Sequence, residues 1–429
     1  MRYHLRLIFF YALFTVFGCS AEPPEPNLQQ VNSTLFEQLF SSAEFDILDR
    51  AGSLLDTPSV AITDNPSLQH LHDKRTYVSL ACYWWPDPDS KDGLPYIRRD
   101  GEVNPETRGN ASDLPKLIDM ALRVELLTMA YLISGDENFS AKAVDQIYTW
   151  FLNPETAMVP HLEHAQMVRG LNHGRSYGVI DTWWLIRVVE AIPVLRQSVY
   201  WSDQTELKLQ RWFTHYLNWL RNSEFGLQEK QSANNHGTWY DVQVVNFSLF
   251  VGQSDYALHH LNEITRTRLS EQIRFTGRQH REINRPRPEH YSIYNLSGWL
   301  KLAQMADQFE LKLDSQTGLL TGKFHDALVY LIRRMQDKSV ADLLDPWDRT
   351  DTDNLYINLL MDAWTLYGKP AFKNQAIMVF QGVKHDGLPV LTPENYVEMS
   401  NWLSDKTFTS SDFHEIHDEF LNIDYHKQN

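Results

Sequence analysis

The sequence has little cysteine, no excess of basic charge and no long apolar run. Only Cys19 and Cys82 occur among 429 residues, which excludes a scaffold built on several disulfides. Lys and Arg number 39 against 55 Asp and Glu, a formal net charge of −16. Nucleic-acid-binding proteins usually carry a basic excess, so we expect no nucleic-acid partner. Hydrophobic residues make up 43% and charged residues 22%, which indicates a folded globular protein.

The N-terminus resembles an export signal. Arg2 and Arg6 precede an apolar run, residues 7–17, that is too short to span a bilayer but has the length of a signal-peptide core. The run ends in Gly18 and Cys19, which resembles a bacterial lipobox with a lipidated cysteine. The alternative is an ordinary secretory signal in which the cysteine is incidental. We therefore expect an exported protein of the periplasm, or one anchored to the outer membrane only through a lipid on Cys19.

These features divide the chain into three segments. Residues 1–18 are the predicted signal peptide, and residues 19–30 are a Pro- and Glu-containing tether. Residues 31–429 show no obvious linker and are predicted to form a single catalytic domain. Once residues 1–18 are removed and Cys19 carries the lipid, Cys82 is the one cysteine left with a free thiol. No intrachain disulfide is then possible.

Apolar residues recur at helical spacing along most of the chain, whereas the alternation typical of strands is scarce. The best strand candidate is 76–82, and Ser202 and Ser254 are predicted N-caps. Consecutive helices with short connections favour antiparallel pairs. We predict an all-α fold, an α/α toroid forming an incomplete barrel, with long loops that build a cleft. The predicted helices are Leu114–Ser134, 140–152, 179–199, 203–221, 240–251, 254–273, 293–310, 323–335 and 352–367.

The first polar and aromatic stretch, 83–106, contains too much Pro and Gly for a helix. Its tryptophans Trp84 and Trp85 are candidates for stacking on sugar rings, although they could instead pack inside a compact loop. Arg98 and Arg99 are candidates for binding carboxylates, since a guanidinium matches that group with two hydrogen bonds.

The second stretch, 160–181, is rich in His, Asn, Gln and Arg. His161 and His164 have a spacing that could ligate a metal on a helix, but no Glu–His pattern follows. We therefore predict no metal and no other cofactor. The candidates for hydrogen bonding to a substrate are Gln166, Asn172 and Arg175.

The third group joins the segment NNHG, which carries Asn235 and His236, to the segment INRPRPEHYS, which carries Arg285, His290 and Tyr291. NNHG alone would be explained by a loop at the entrance of a helix. Together, however, Asn, His, Arg and Tyr supply the groups that β-elimination of a uronate requires.

In that reaction a base removes H5 beside a carboxylate, and the O4-linked sugar leaves. Asn235 and Arg285 could neutralise the carboxylate, which resists additional negative charge. In β-D-mannuronate and β-D-glucuronate, H5 and O4 lie on the same side, so one tyrosine, Tyr291, could act as base and then acid. We expect a neighbouring arginine to lower the pKa of Tyr291. His236 would help to neutralise the carboxylate or serve as the alternative base.

With the loop segments YWWPDP and YIRRDG, these motifs resemble the alginate lyase superfamily, most closely its bacterial polymannuronate and glucuronan lyases. The resemblance covers roughly residues 75–300 and implies an α/α toroid, an acidic polysaccharide substrate and no obligatory metal. It implies that Asn235 and His236 neutralise the carboxylate with Arg285, and that Tyr291 is the catalytic tyrosine. Arg175 would face the substrate. His290 and Tyr294 are alternative functional residues, so spacing alone decides between Tyr291 and Tyr294.

Two rival hypotheses come from other classes of protein. A glycoside hydrolase on the same fold would use two carboxylates, with candidates Asp345, Asp348, Asp351 and Asp353, although this stretch is more typical of a helix N-terminus. A non-catalytic glycan-binding lipoprotein would rely on Trp84 and Trp85.

The segment of residues 266–290 is locally basic, although the chain as a whole is acidic. Seven arginines stand there against three glutamates. An acidic chain can therefore present a positive surface to a polyanion, although about half of these arginines are expected to pair with carboxylates on helix surfaces. The arginines are Arg266, Arg268, Arg274, Arg278, Arg281, Arg285 and Arg287.

Overall fold

The computed structural model describes residues 44–65, 73–311, 323–336, 355–364 and 376. The predicted signal peptide, the tether and the aspartates proposed for a hydrolase lie outside these residues. Within the described ranges, none of the helices is both long enough and apolar enough to cross a bilayer.

The described chain is mostly helical, as the sequence predicted. A first helix, α1, occupies residues 44–54. It is followed by α2 (Leu114–Ser134), α3 (Glu137–Ile147), α4 (Leu185–Leu195), α5 (Asp203–Asn222), α6 (Glu224–Lys230), α7 (Asn235–Phe250), α8 (Ser254–Arg266), α9 (Arg268–Gln272), α10 (Pro288–Asp307) and α11 (Lys323–Gln336), and by α12 over residues 355–364.

Short irregular helices and strands connect these elements. One π-helical turn, Tyr148–Leu152, extends α3, and 3₁₀ segments cover Ile62–Asp64, Pro105–Arg108 and Ser176–Trp184. Strand β1 (Val78–Leu80) pairs in parallel with β4 (His164–Met167). Strand β2 (Trp84–Trp85) pairs antiparallel with β3 (Ile97–Arg98).

The helices pack as an incomplete α/α toroid, which confirms the predicted fold class. Neighbours along the chain pair with each other, as in α2 with α3 and α7 with α8. Helix α7 also packs on α5 and α10 and is buried along nearly its whole length. A helix enclosed on several sides needs apolar or hydrogen-bonded residues all round. This packing brings the N-termini of α7 and α10 together.

Helix boundaries agree with the sequence where apolar periodicity begins at a clear cap. Helix α2 has the predicted bounds, and the Oγ of Ser202 accepts a hydrogen bond from the backbone N–H of Thr205 at 3.1 Å, as predicted for the cap of α5. The predicted cap at Ser254 is wrong, because Gln253 precedes α8 and makes no side-chain cap.

Helices α7 and α10 begin earlier than predicted, at Asn235 rather than 240 and at Pro288 rather than 293. Their first turns are polar and therefore carry no apolar periodicity. Asn234 caps α7 by accepting a hydrogen bond from the backbone of His236, and Pro288 suits the first turn of α10, where no intrahelical donor is needed. NNHG is thus a capped helix start rather than a loop.

Candidate active site

Tyr291 lies in the first turn of α10, where its side chain is only 7% exposed. Its hydroxyl is hydrogen-bonded to the hydroxyl of Tyr83 from the first loop stretch. The guanidinium carbon of Arg285 lies 3.9 Å from the centre of its ring, and the ring of His290 meets it edge-on at 5.4 Å. A phenol, a cation and an imidazole thus converge at one point.

We expected a neighbouring arginine to lower the pKa of Tyr291. Arg285 does so by itself, but the pKa as a whole is raised, so the expectation of a lowered pKa is wrong. Burial raises the pKa of the Tyr291 phenol, and this outweighs the lowering by the Tyr83 hydrogen bond and by Arg285. Low-dielectric surroundings disfavour the charged phenolate. At neutral pH, Tyr291 therefore carries its proton.

Tyr294 lies one helical turn further along α10. Its ring stacks on Trp239 with centroids 4.9 Å apart and meets Trp183 edge-on at 6.1 Å. Burial raises the pKa of its phenol well above the usual value. Tyr294 is therefore part of an aromatic wall, whereas Tyr291 is the tyrosine that contacts both Arg285 and Tyr83.

Asn235 is almost completely buried, at 1% exposure, and is held by the carboxylate of Glu282, which no sequence motif marks. Glu282 accepts hydrogen bonds from its backbone N–H at 2.8 Å and from its side-chain amide at 2.7 Å. Burial raises the pKa of Glu282, whereas the bonds from Asn235 and the nearby charges of Arg285 and His236 lower it. Glu282 therefore holds Asn235 and is subject to the charges of Arg285 and His236.

His236 is oriented by a second buried carboxylate. Its Nδ1 lies 2.6 Å from Oε1 of Glu229, and Glu229 has no exposed surface. A carboxylate on Nδ1 favours the tautomer with the proton there, which leaves Nε2 as an acceptor. Among the described residues Nε2 has no hydrogen-bond partner. The ring of Tyr177 meets His236 edge-on at 4.9 Å.

Arg285 already binds a carboxylate in this structure. Its Nη2 donates to Oδ1 of Asp100 at 3.0 Å, and Nη2 of Arg98 lies 3.3 Å from the same oxygen. Asp100 follows β3, so the first loop stretch reaches α10 through Tyr83 and the segment before α10 through Asp100. Arg98 itself is exposed.

Arg175 is fixed by Gln166 and by two aromatic rings. Its Nε and Nη2 donate to the backbone and side-chain oxygens of Gln166 at 3.1 and 2.9 Å. Its guanidinium lies 4.9 Å from the ring centre of Tyr177 and 5.9 Å from that of Trp84. Through Tyr177 this arginine is connected to His236, which places it at the edge of the same site.

A buried aspartate holds Gln166 in an unusual backbone conformation. Gln166 has φ 49°, a left-handed conformation that non-glycine residues seldom adopt. Its amide donates to Asp181 at 2.9 Å, and Asp181 also accepts from the hydroxyls of Tyr77 and Ser79. Gln166 is therefore a supporting residue behind Arg175, rather than one that is free to face a substrate.

The remaining predicted residues make their contacts within the two loop stretches. Trp85 donates its indole N–H to the backbone of Glu102 at 2.9 Å and has Arg99 over its ring at 5.5 Å. Asn172 is exposed and accepts from the backbone of Val168, so it closes a turn. The helical spacing suggested for His161 and His164 does not apply, because His164 begins β4.

A family model described as alginate lyase matches residues 61–341, which span both loop stretches, α7 and α10. The chain belongs to the alginate lyase family. It is similar to the crystal structure of an alginate lyase from Bacteroides ovatus, with a TM-score of 0.74 and 29% sequence identity over 87% of this chain and 96% of that one. The family and this likeness make the protein a polysaccharide lyase, for which an acidic polysaccharide is the substrate.

A further alginate lyase structure, A1-III from Sphingomonas species A1, shows weaker similarity. Its TM-score is 0.45 and its identity 11%, over 75% of this chain and 87% of that one. No curated protein sequence matches the chain.

Several residues of the candidate site were not predicted. Tyr83 was overlooked because the adjacent tryptophans were the more obvious sugar-binding candidates, although it begins the YWWPDP motif. Glu229 and Glu282 stand in helical or irregular segments without any local motif, and only the fold brings them to α7. The residues that the structure adds are Tyr83, Asp100, Tyr177, Glu229 and Glu282.

The glycine of NNHG is required by an arginine that passes its backbone. A Cβ at Gly237 would overlap with Nη1 of Arg268 and with the carbonyl oxygen of Ser232. Arg268 is itself buried against Asp241 at 2.6 Å and binds the carbonyls that precede α7. The glycine therefore lets Arg268 clamp the segment that carries Asn235.

We expect Gly237→Ala to lower the free energy of unfolding by about 1–3 kcal/mol, since overpacking forces a backbone shift, and to reduce lyase activity as well. Gly52→Ala is the matched control, because nothing lies within 4 Å of its added Cβ and it stands in helix α1. That change should raise stability by about 0.5–1 kcal/mol. Urea unfolding of both variants tests this, and equal stability of the two would contradict the clamp.

Proposed function

We propose that the protein cleaves 4-linked β-D-uronate polymers, either the mannuronate-rich regions of alginate or glucuronan, by syn β-elimination. The observation that carries the proposal is the position of the Arg285 guanidinium over the ring of Tyr291, in the first turn of α10. Helix α7, which packs on α10, supplies Asn235 and His236 at its own first turn.

The proposed reaction begins with the uronate carboxylate bound by Arg285 and approached by His236 and Asn235. Neutralising this group allows the electrons of the C5–H bond to form an aci-carboxylate. The electrons then form the C4–C5 double bond, and the C4–O4 bond breaks. Tyr291, which holds its proton at neutral pH because burial raises its pKa, is placed to protonate O4.

Two groups could take H5. A transient phenolate of Tyr291 would use one residue for both steps, whereas His236 has an Nε2 that is free to accept a proton. Its partner Glu229 supports the imidazolium that would form, at 2.6 Å from Nδ1.

We expect polymannuronate or glucuronan to be cleaved at least about tenfold faster than polyguluronate, because H5 and O4 lie on the same side only in the first two. The rate of appearance of the C4–C5 double bond, followed by ultraviolet absorbance on purified block polymers, measures this. The same absorbance separates a lyase from a hydrolase, which forms reducing ends only. Faster cleavage of polyguluronate would contradict a syn mechanism.

The pH dependence of kcat/KM should distinguish the two bases. If Tyr291 is the base, only its small phenolate fraction reacts, and burial raises its pKa. The rate should then increase with pH and still be increasing at about pH 10, the ordinary value for tyrosine. A rate that stops increasing well below pH 10 would exclude Tyr291 as the base and leave His236.

We further propose that the protein is exported and held at a membrane by a lipid on Cys19. The sequence of residues 1–30 supports this placement, and it suits an enzyme whose polymeric substrate lies outside the cytoplasm.

A further inference from the structure

A turn over residues 274–281, here called the basic turn, precedes the segment that carries Arg285. Arg274, Arg278 and Arg281 are all exposed on it. Across the part of the chain that the structure describes, none of the three forms an ion pair, although the chain has 55 acidic residues against 39 basic ones. Unpaired cations grouped in an acidic protein create a local positive potential.

The basic turn is held in a fixed conformation. Its ends are joined by a β-bridge between Ile273 and Gln279, and the backbone N–H of Arg274 donates to the carbonyl of Arg278 at 3.1 Å. Gly277 has φ 77° and packs so closely on the backbone of Asp326 that a Cβ would collide with it. The arginines are therefore displayed by a rigid support, which limits the entropy lost when they bind a ligand.

Two further groups belong to this surface. His280 stands among the three guanidiniums, and burial together with these cations lowers its pKa, so the cluster does not gain a fourth charge at neutral pH. Phe275, beside Arg274, is 68% exposed. An exposed aromatic ring next to cations suits a sugar that carries a carboxylate, since the ring can contact the sugar face.

The basic turn is also joined to the active site. The side-chain amide of Gln279 donates to the carbonyl of Ser292, next to Tyr291, at 2.8 Å. Glu282, directly after the turn, holds Asn235. A polymer bound at the turn would therefore lie beside the helices that carry the catalytic groups.

We propose that the basic turn is a second binding site for the anionic polysaccharide, outside the catalytic cleft, in which Arg274, Arg278 and Arg281 bind uronate carboxylates. The identity of the polymer rests on the proposed function. The site would retain a long chain while successive bonds are cleaved. The exposed ring of Phe275 favours a sugar over the phosphate headgroups of an anionic membrane surface.

The test is gel electrophoresis through a matrix containing long-chain polymannuronate, with Tyr291→Phe as the background so that the polymer stays intact. The polymer should retard the variant Arg274→Gln/Arg278→Gln/Arg281→Gln about fivefold less than the Tyr291→Phe background. Each exposed pair between an arginine and a polymer carboxylate contributes little, but the three act together. The matched control Lys74→Gln/Lys208→Gln/Arg211→Gln removes the same charge from exposed residues that form no ion pair within the described ranges. It should be retarded like the background. Thermal unfolding of both variants verifies that they fold.

Equal loss of retardation in both triple variants, or none in either, would overturn the proposal, because net charge or the cleft alone would then explain binding. The proposal would also fail if the triple variant of the basic turn lost affinity for phosphatidylglycerol vesicles but not for polymannuronate. Because the readout is binding, it does not depend on elimination. If the unmodified protein cleaved no uronan but the triple variant of the basic turn still lost retardation, only the proposed function would be contradicted.

Discussion

Replacement of Tyr291 by phenylalanine should lower kcat by about 10³-fold or more, since a missing general acid and base costs that order of rate. The hydroxyl is the only atom group removed, and its hydrogen bond to Tyr83 is lost with it. The ring would still pack beside Arg285 and His290. We therefore expect the thermal unfolding temperature and polymer binding, both measured by calorimetry, to change little. The loss of kcat is measured with the ultraviolet absorbance assay.

Tyr294→Phe is the control for this prediction, because its ring stacks on Trp239 and would keep that contact. It should retain most of the rate. A fast Tyr291→Phe variant together with a slow Tyr294→Phe variant would reverse the assignment of the two tyrosines. Tyr83→Phe should reduce the rate by an intermediate amount, since it leaves the Tyr291 hydroxyl without its partner.

Replacement of Glu282 by glutamine should lower kcat by about 10²-fold. Glu282 accepts two hydrogen bonds from Asn235, at 2.8 and 2.7 Å, whereas a glutamine side chain can accept at one oxygen only and turns an N–H toward a donor. Leaving a buried donor without a partner costs about 1–3 kcal/mol. Asn235 would shift, and the geometry around the uronate carboxylate would shift with it.

Glu125→Gln is the control for loss of a buried carboxylate, because Glu125 is 5% exposed and pairs with Arg187 rather than with a residue of the predicted site. It should be destabilised without a comparable loss of kcat. Steady-state rates divided by the folded fraction, obtained from urea unfolding, separate the two effects. If the two variants lose kcat equally, Glu282 has no special role in positioning Asn235.

The sequence predicted the fold because apolar periodicity and packing have the same cause. The apolar face of α2 ends at a glycine, Gly135, with φ 69°, and its bounds followed directly. The first turns of α7 and α10 were missed for the opposite reason. These turns hold polar residues such as Asn235, His236 and His290, which interrupt the apolar pattern by which a helix is recognised.

The same limit explains what was missed in the site. Motif spacing placed Asn235, His236, Arg285 and Tyr291 near one another, and the structure brings them to adjacent helix ends. Tyr83 is separated from Tyr291 by 208 positions, and Glu282 from Asn235 by 47. Contacts across such separations depend on how loops and helices pack. The pKa of Tyr291 was predicted to be lowered but is raised, because burial raises it. The burial of a side chain cannot be read from its neighbours in the sequence.

The pairing of Arg285 with Asp100 makes the binding of an anion at this arginine an exchange rather than an addition. A uronate carboxylate that takes the guanidinium replaces one carboxylate by another, so the number of ion pairs at Arg285 stays the same. The affinity is then the small difference between two similar contacts, although each is considerable by itself. Exchange keeps the guanidinium oriented while the site is empty, and it returns Asp100 to the arginine as each product departs. If Arg285 binds the uronate as proposed, this exchange favours release of each product carboxylate from the cleft over its tight retention there.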